Sequence, residues 1–350
     1  MIKKVLVVDD SALVRKVLGE EISKFSDFSV VGSAIDPYDA REKIFQLRPD
    51  ILTLDLEMPR MDGLSFLAKL MKHHPLPVVV VSSQAPEGSK SAMDALELGA
   101  VEIVPKPGSQ FTVPDVGQKL IYALRAAAAV PVEKLKISQL IAGKDKKPLK
   151  ISTRALKTTH KLIAIGASTG GTQAIESLMS RMPVDAPGIV IVQHMPASFT
   201  GTFAKRLNNV SSMQVREAKD REDITPGVAL VAPGDKHMVV AKNGARYQVR
   251  IKNGPRVHFQ RPSVDVLFQS VAMNTGQNAV GVLLTGMGSD GAKGMLEMYE
   301  SGAHTIVQDE ESCIVFGMPK EAINLGGVKE ILPLDRMPEA ILQRIQASQN

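Results

Sequence analysis

Short runs of aliphatic residues alternate with helix-period patterns from the start of the chain, and this alternation constrains the fold more than any other feature. In the N-terminal half the strand-like runs are residues 5–8, 29–31, 51–54, 78–81 and 102–104. Helical patterns over residues 12–24, 37–47, 64–73, 89–98 and 116–129 separate and follow them. Strands that alternate with helices in this way predict a parallel sheet covered on both faces. In such sheets the functional groups collect at the C-terminal ends of the strands.

The residues at those ends are chemically specific. Asp9 and Asp10 close the first run, Asp55 the third and Ser82 the fourth, and Lys106 follows the fifth. Carboxylates brought together resist ionisation unless a cation joins them. Hard oxygen ligands suit Mg²⁺, while Lys106 offers a point charge and Ser82 a hydroxyl to a phosphoryl group. The plainer alternative makes the acids helix N-caps and Lys106 a surface charge.

With Val7-Val-Asp9-Asp10-Ser11, Leu54-Asp55-Leu-Glu-Met-Pro59, Met61-Asp-Gly63, Val81-Ser82-Ser83 and Lys106-Pro107 in order, this half resembles a response-regulator receiver domain, a flavodoxin-like doubly wound five-stranded parallel sheet. The resemblance covers about residues 1–125. It implies phosphorylation of Asp55 by a histidine kinase, Mg²⁺ held by Asp9, Asp10 and Asp55, and sensing of the phosphoryl group by Ser82 and Lys106. It also implies a cis Lys106–Pro107 bond.

Residues 126–157 read as a linker. Pro131 ends the last receiver helix. The stretch from Pro131 to Lys161 holds nine Lys and Arg against two acids, much of the chain's net charge of +5. A basic linker is more often solvated than bound to nucleic acid. Leu135, Ile137, Leu140 and Ile141 form a candidate docking segment.

A second alternation begins at Lys161. The run 162–165 breaks at Gly166 and leads through Ser168 into a helical pattern from Gly171. Ser168 therefore sits on a strand-to-helix turn, and Gly166-Ala-Ser168-Thr-Gly170 fits G-x-S-x-G. The run 189–192 leads to His194, and the run 279–284 leads to Asp290. If these strands are parallel neighbours, a serine, a base and a carboxylate share one sheet edge, as nucleophilic acyl transfer needs. His237 and His258 stand as runners-up for the base, and His304 reads as structural. Asp290 has the alternative of capping the helix that carries Met295 and Met298.

The order Ser, His, Asp differs from the Ser–Asp–His order of α/β-hydrolases. Instead, residues 158–347 resemble the catalytic domain of the chemotaxis receptor methylesterase family, CheB. The carrying motifs are Ile165-Gly-Ala-Ser168-Thr-Gly-Gly171, Gln193-His194-Met-Pro196 with Phe199-Thr200, Ala232-Pro-Gly-Asp-Lys-His237, Arg261-Pro-Ser-Val-Asp265 and Leu284-Thr-Gly-Met287-Gly-Ser-Asp290-Gly291. The resemblance implies a Rossmann-like doubly wound α/β domain. It implies hydrolysis of glutamate γ-methyl esters on chemoreceptor helices, with release of methanol, and deamidation of particular receptor glutamines. Ser168 would be the nucleophile, His194 the base and Asp290 its orienting carboxylate. Backbone N–H groups near Thr169 and Met287 would hold the oxyanion, with no cofactor in the esterase site. An unphosphorylated receiver would block the catalytic edge.

Other classes fit less well. A nucleotide-binding module lacks G-x-x-x-x-G-K-[ST], and a DNA-binding output domain lacks a clear helix-turn-helix pattern. Aromatic residues make up 4% of the chain and Trp is absent, against a single-strand nucleic-acid surface. No apolar run reaches the ~20 residues of a membrane span, and Met1-Ile-Lys-Lys4 shows no signal-peptide pattern. The single cysteine, Cys313, reads as a buried structural thiol, and a cytoplasmic setting is the expectation.

Overall fold

The computed structural model describes residues 2–83, 86–106, 113–135 and 161–347. They form two compact units, one on each side of residues 136–160. Pro107 and its peptide bond, and Ile137, Leu140 and Ile141, lie outside the described residues, while Leu135 is buried.

In the first unit the strands are β1 (Lys3–Val8), β2 (Phe28–Ala34), β3 (Ile51–Asp55), β4 (Val78–Ser82) and β5 (Glu102–Pro105). They pair in parallel in the order β2-β1-β3-β4-β5. The helices are α1 (Ala12–Ser23), α2 (Pro37–Leu47), α3 (Gly63–His73), α4 (Pro86–Glu97) and α5 (Val113–Ala128). Every residue of β3 and β4 is buried, which is why Val78 to Val81 shows no polar alternation. Ser11 caps α1, accepting from the Val14 N–H, so neither Asp9 nor Asp10 is spent as a cap. The strand order reverses between β1 and β3, and Asp9 and Asp55 stand at that crevice. Gly63 opens α3 because the helix touches β3 there: a Cβ would lie 2.2 Å from the Asp55 carbonyl oxygen.

The second unit is built on seven parallel strands, β6 (Leu162–Ala167), β7 (Gly188–Gln193), β8 (Gln214–Glu217), β9 (Val228–Val231), β12 (Ala279–Leu283), β13 (His304–Gln308) and β14 (Glu330–Leu332). Strands β10 (His237–Asn243) and β11 (Arg246–Lys252) make a separate antiparallel hairpin. The helices are α6 (Gly171–Met179), α7 (Ala197–Val210), α8 (Val264–Thr275), α9 (Ala292–Glu300), α10 (Met318–Asn324) and α11 (Met337–Ala347).

The sheet order is β14-β13-β12-β6-β7-β9-β8, so β12, β13 and β14 step outward on one side of β6, and on the other β9 inserts between β7 and the edge strand β8. The reversal at β6 puts the ends of β12, β6 and β7 side by side. Strands β8 to β11 and β14 escape the sequence reading, although Tyr247, Val249 and Ile251 alternate with polar or charged residues along β11 in a period of two. Val264, Leu267, Phe268 and Val271 bury one face of α8 in the core shared with Leu283 and Met295. That packing sets the N-terminus of α8 beside the end of β12.

Candidate active site and phosphoacceptor pocket

Strand register brings the serine and histidine together. Ala167 is paired with Gln193, so Ser168 and His194 are the next residues to leave two adjacent parallel strands. The His194 N–H donates to the Ala167 carbonyl at 3.1 Å. The Gln193 amide bridges both turns, donating to the carbonyls of Ser168 (2.9 Å) and His194 (3.3 Å). On the other side, Ser168 N–H donates to the Thr285 carbonyl at 3.0 Å, and Thr285 Oγ1 donates to the Thr169 carbonyl at 2.9 Å. The Ser168 backbone is thus held from both neighbouring strands.

One side-chain contact ties the histidine to the carboxylate. His194 Nε2 is 2.7 Å from Asp290 Oδ2. His194 Nδ1 and Ser168 Oγ are both buried and make no hydrogen bond. Each is an orphaned polar atom, and the pair stands at neighbouring strand ends. Buried polar atoms left unpaired cost stability, and such sites are commonly functional. Because Asp290 takes Nε2, Nδ1 is the ring nitrogen left unpaired.

Asp290 is held by four donors. Besides His194 it accepts from Ser263 Oγ (2.7 Å) and from the backbone N–H groups of Val264 (2.8 Å) and Asp265 (3.0 Å). Burial pushes its carboxyl upward, but the His194 bond and charge, with the Asp265 and Ser263 bonds, outweigh it and hold Asp290 below the usual carboxylate range. The alternative role of Asp290 as cap of α9 does not hold: Gly291 occupies that position without a side-chain cap. Asp290 instead lies at the N-terminus of α8, where free N–H groups and the helix dipole favour its charge.

The runner-up histidines serve other contacts. His237 accepts the Ser263 N–H on Nδ1 at 3.3 Å and faces the Pro255 carbonyl with Nε2 at 2.8 Å, so both nitrogens are taken by backbone. His258 Nε2 lies 3.1 Å from Asp265 Oδ2. His304 pairs with Glu330, and Cys313 is buried. Gln193, Ser263 and Asp265 received no role from sequence. Gln193 adjoins His194, and the other two lie in Arg261-Pro-Ser-Val-Asp265, so the signal was there without its meaning.

Thr169 is buried beside Ser168, and Met287 follows Gly286 in the loop after β12. Gly286 is where that loop meets the serine: a Cβ would lie 2.8 Å from the Ser168 Cβ and 2.3 Å from Met318 Sδ. Gly286→Ala is expected to shift Ser168 and lower kcat of any hydrolysis that Ser168 carries about 10²-fold, the scale a misplacement near 1 Å can reach. Steady-state kinetics on folded protein checks it, and an unchanged kcat would mean that Met318 alone gives way.

In the first unit, Asp9, Asp10 and Asp55 each bring a carboxylate oxygen within 4.8 Å of the others. Lys106 Nζ lies 3.2 Å from Asp9 Oδ2 and 2.7 Å from Asp55 Oδ2. Burial raises the carboxyls of both Asp9 and Asp55 above the usual range despite that ammonium. Burial would lower Lys106, but its contacts with Asp55 and Asp9 raise it. The Lys106 N–H donates to the Ser82 carbonyl at 2.9 Å, which places the lysine beside the buried Ser82. Two buried carboxylates whose outer oxygens meet only one ammonium, with the exposed Asp10 adjacent, fit a hard divalent cation such as Mg²⁺.

Comparison with known proteins gives a consistent result. A family model for CheB methylesterase matches residues 163–341, and one for the response regulator receiver domain matches residues 5–114. Protein-glutamate methylesterase/protein-glutamine glutaminase 2 of Syntrophus aciditrophicus is 53% identical, over 98% of this chain and 99% of its own length. The protein-glutamate methylesterase/protein-glutamine glutaminase of Salmonella typhimurium is 50% identical, over 99% of this chain and 98% of its own. The crystal structure of the CheB methylesterase catalytic domain of Thermotoga maritima is matched with a TM-score of 0.51 and 35% identity, covering 52% of this chain and 97% of that one.

Proposed function

The chain belongs to the CheB methylesterase family and carries a receiver domain, and from that premise we propose that Ser168, His194 and Asp290 carry its hydrolysis. The protein is a protein-glutamate methylesterase and protein-glutamine glutaminase of chemotaxis adaptation, activated through its receiver. The observation that supports the site is the meeting of three strand ends, where Asp290 orients His194 at 2.7 Å and leaves Nδ1 and Ser168 Oγ unpaired.

The chemistry follows from that arrangement. Ser168 Oγ attacks the γ-carbonyl carbon of the glutamyl methyl ester, and its proton passes to His194 Nδ1. Asp290 stabilises the imidazolium through Nε2 and fixes the tautomer. The tetrahedral oxyanion is met by backbone N–H groups near Thr169 and Met287, donors of the kind worth about 10²–10³ in rate. Collapse breaks the C–O bond, and methanol leaves with the proton from His194. Water then enters, gives a proton to His194 and attacks the acyl-serine. Glutamate is released and Ser168 regains its proton. A glutamine side chain follows the same course with ammonia as leaving group.

In the receiver, Asp55 accepts the phosphoryl group from a histidine kinase, and Ser82 and Lys106 bind its oxygens. Asp9, Asp10 and Asp55 would hold Mg²⁺, which would supply charge neutralisation at the phosphoryl oxygens. The substrates are methyl-accepting chemoreceptors, and the proposed setting is the cytoplasm. None of the described helices is long and apolar enough to cross a membrane. The domain limits in this reading are 1–125, 126–157 and 158–347.

Methanol release from methylated chemoreceptor, measured with and without a small phosphodonor and Mg²⁺, tests the receiver's part. Wild-type release is expected to rise with the phosphodonor. In Asp55→Asn the two conditions are expected to coincide. Stimulation that survives in Asp55→Asn would remove Asp55 as the phosphoacceptor.

A further inference from the structure

A tight turn beside Asp290 is not used by this chemistry. Val257 and Gln260 exchange backbone hydrogen bonds of 3.0 and 2.8 Å and close a two-residue loop over His258 and Phe259. Both central residues have positive φ, 49° and 63°. That is the sign pattern of a type I′ turn, which Asn and Gly fill readily and residues with bulky side chains resist. Burial does not compensate, because Phe259 is 77% exposed. Neither turn preference nor core packing accounts for an aromatic ring here, and backbone strain of this kind clusters at functional sites.

The turn is nevertheless tied to the catalytic carboxylate. His258 faces Asp265 at 3.1 Å, and its Nδ1 is 3.5 Å from Ser289 Oγ. Asp265 Oδ1 accepts the Gly294 N–H at 2.8 Å, and the Asp265 N–H donates to Asp290. A ring nitrogen of His258 and one carboxylate oxygen each of Asp265 and Asp290 lie within 4.8 Å of one another. Arg256 and Arg261 flank the turn and share one carboxylate, Asp235, at 3.1 and 3.2 Å. Two guanidinium groups on one carboxylate leave the rim of the turn positive. The ring is therefore exposed, on a turn with positive φ that two arginines flank and that His258 and Asp265 tie to the carboxylate bonded to His194.

We propose that Phe259 is a specificity-determining residue that docks the protein substrate. Its ring packs on apolar side chains of the helix that presents the glutamyl ester, and Arg256 and Arg261 face carboxylates on the same helix. Residues three or four apart share one helix face, so a ring fixed beside the site reads positions about one turn from the ester. The proposal rests on the esterase reading above.

The test compares wild type, Phe259→Ala, Phe259→Gly, Phe259→Trp and Ser168→Ala, all in the full-length chain. Each is assayed on methylated chemoreceptor with phosphodonor and on p-nitrophenyl acetate. Phe259→Ala is expected to lower kcat/KM on the receptor about tenfold or more, the scale of losing one buried aromatic contact. The loss is expected in KM, and the receptor-to-small-ester selectivity ratio is expected to fall by the same factor. Phe259→Gly is expected to show the same loss together with a higher thermal midpoint, because glycine adopts a φ of this sign without strain. Phe259→Trp is expected to keep most receptor activity.

Wild-type KM in Phe259→Ala and Phe259→Gly would overturn the proposal. So would a loss confined to kcat, or a rise in activity without phosphodonor, which would make the ring a contact for the receiver instead. Full activity of Ser168→Ala on both substrates would overturn the esterase site itself, whatever Phe259 does.

Discussion

Replacing Ser168 by alanine is expected to lower kcat for methanol release at least about 10⁴-fold and, in the same protein, to raise the thermal midpoint of the catalytic unit. The two effects share a cause. Ser168 Oγ is buried and makes no hydrogen bond, while its backbone is held by Thr285 and Gln193. Alanine removes the oxygen proposed to attack, and removal of a nucleophile that works with its base as a unit costs several orders of magnitude. It also removes a desolvated hydroxyl whose burial is uncompensated, worth about 1 kcal/mol, or roughly 2–4 °C in a unit of this size. Calorimetry and methanol assays on one preparation check both. A fall in thermal midpoint would show that the hydroxyl is bonded in solution. Retained hydrolysis would remove Ser168 from the mechanism.

Asp290→Asn is expected to cost about 10⁴ in kcat and, unlike Ser168→Ala, to destabilise the fold. Asp290 accepts from His194, Ser263, Val264 and Asp265. An amide at this position puts an NH₂ against groups that are themselves donors. The imidazole then loses the acceptor that keeps the proton on Nε2, and the wrong tautomer faces Ser168. Loss of hydrogen bonds to a buried charged acceptor is worth about 2 kcal/mol.

The pH dependence follows with a definite sign. The native Asp290 carboxyl lies below its unfolded value, so its contribution is full above about pH 4 and fades as pH falls through the native pKa. The unfolding midpoint of Asp290→Asn is therefore expected to differ most from wild type at neutral pH and to converge on it in acid. A gap that stays constant with pH would mean that shape, not charge, carries the loss.

Much of this was legible in the residues. Val78 to Val81 and Ile189 to Val192 are buried throughout in the structure, and uninterrupted aliphatic runs of that length announce interior parallel strands. Asp9, Asp55, Ser168 and His194 each stand immediately after or at the end of such a run, where βα turns present side chains to a common edge. Strands such as β8 and β14 were not legible. They are short and lie at the sheet edges, and nothing in four or three residues separates them from loop. The same holds for Phe259: its positive φ arises from a turn that residue preference argues against.

Aliphatic runs and helical periods were enough for the two parallel-sheet units, the groups at their strand ends and the types of chemistry those groups can do. A period of burial is a local property, written in neighbouring residues. Which strands adjoin, that Asp290 serves the N-terminus of α8 and not that of α9, and that His194 spends Nε2 on Asp290 and leaves Nδ1 unpaired came from the tertiary fold. Those are choices of partner across 25 and more residues of chain. They are made by sheet register and by the burial of α8 against β12 and α9, which no local pattern encodes.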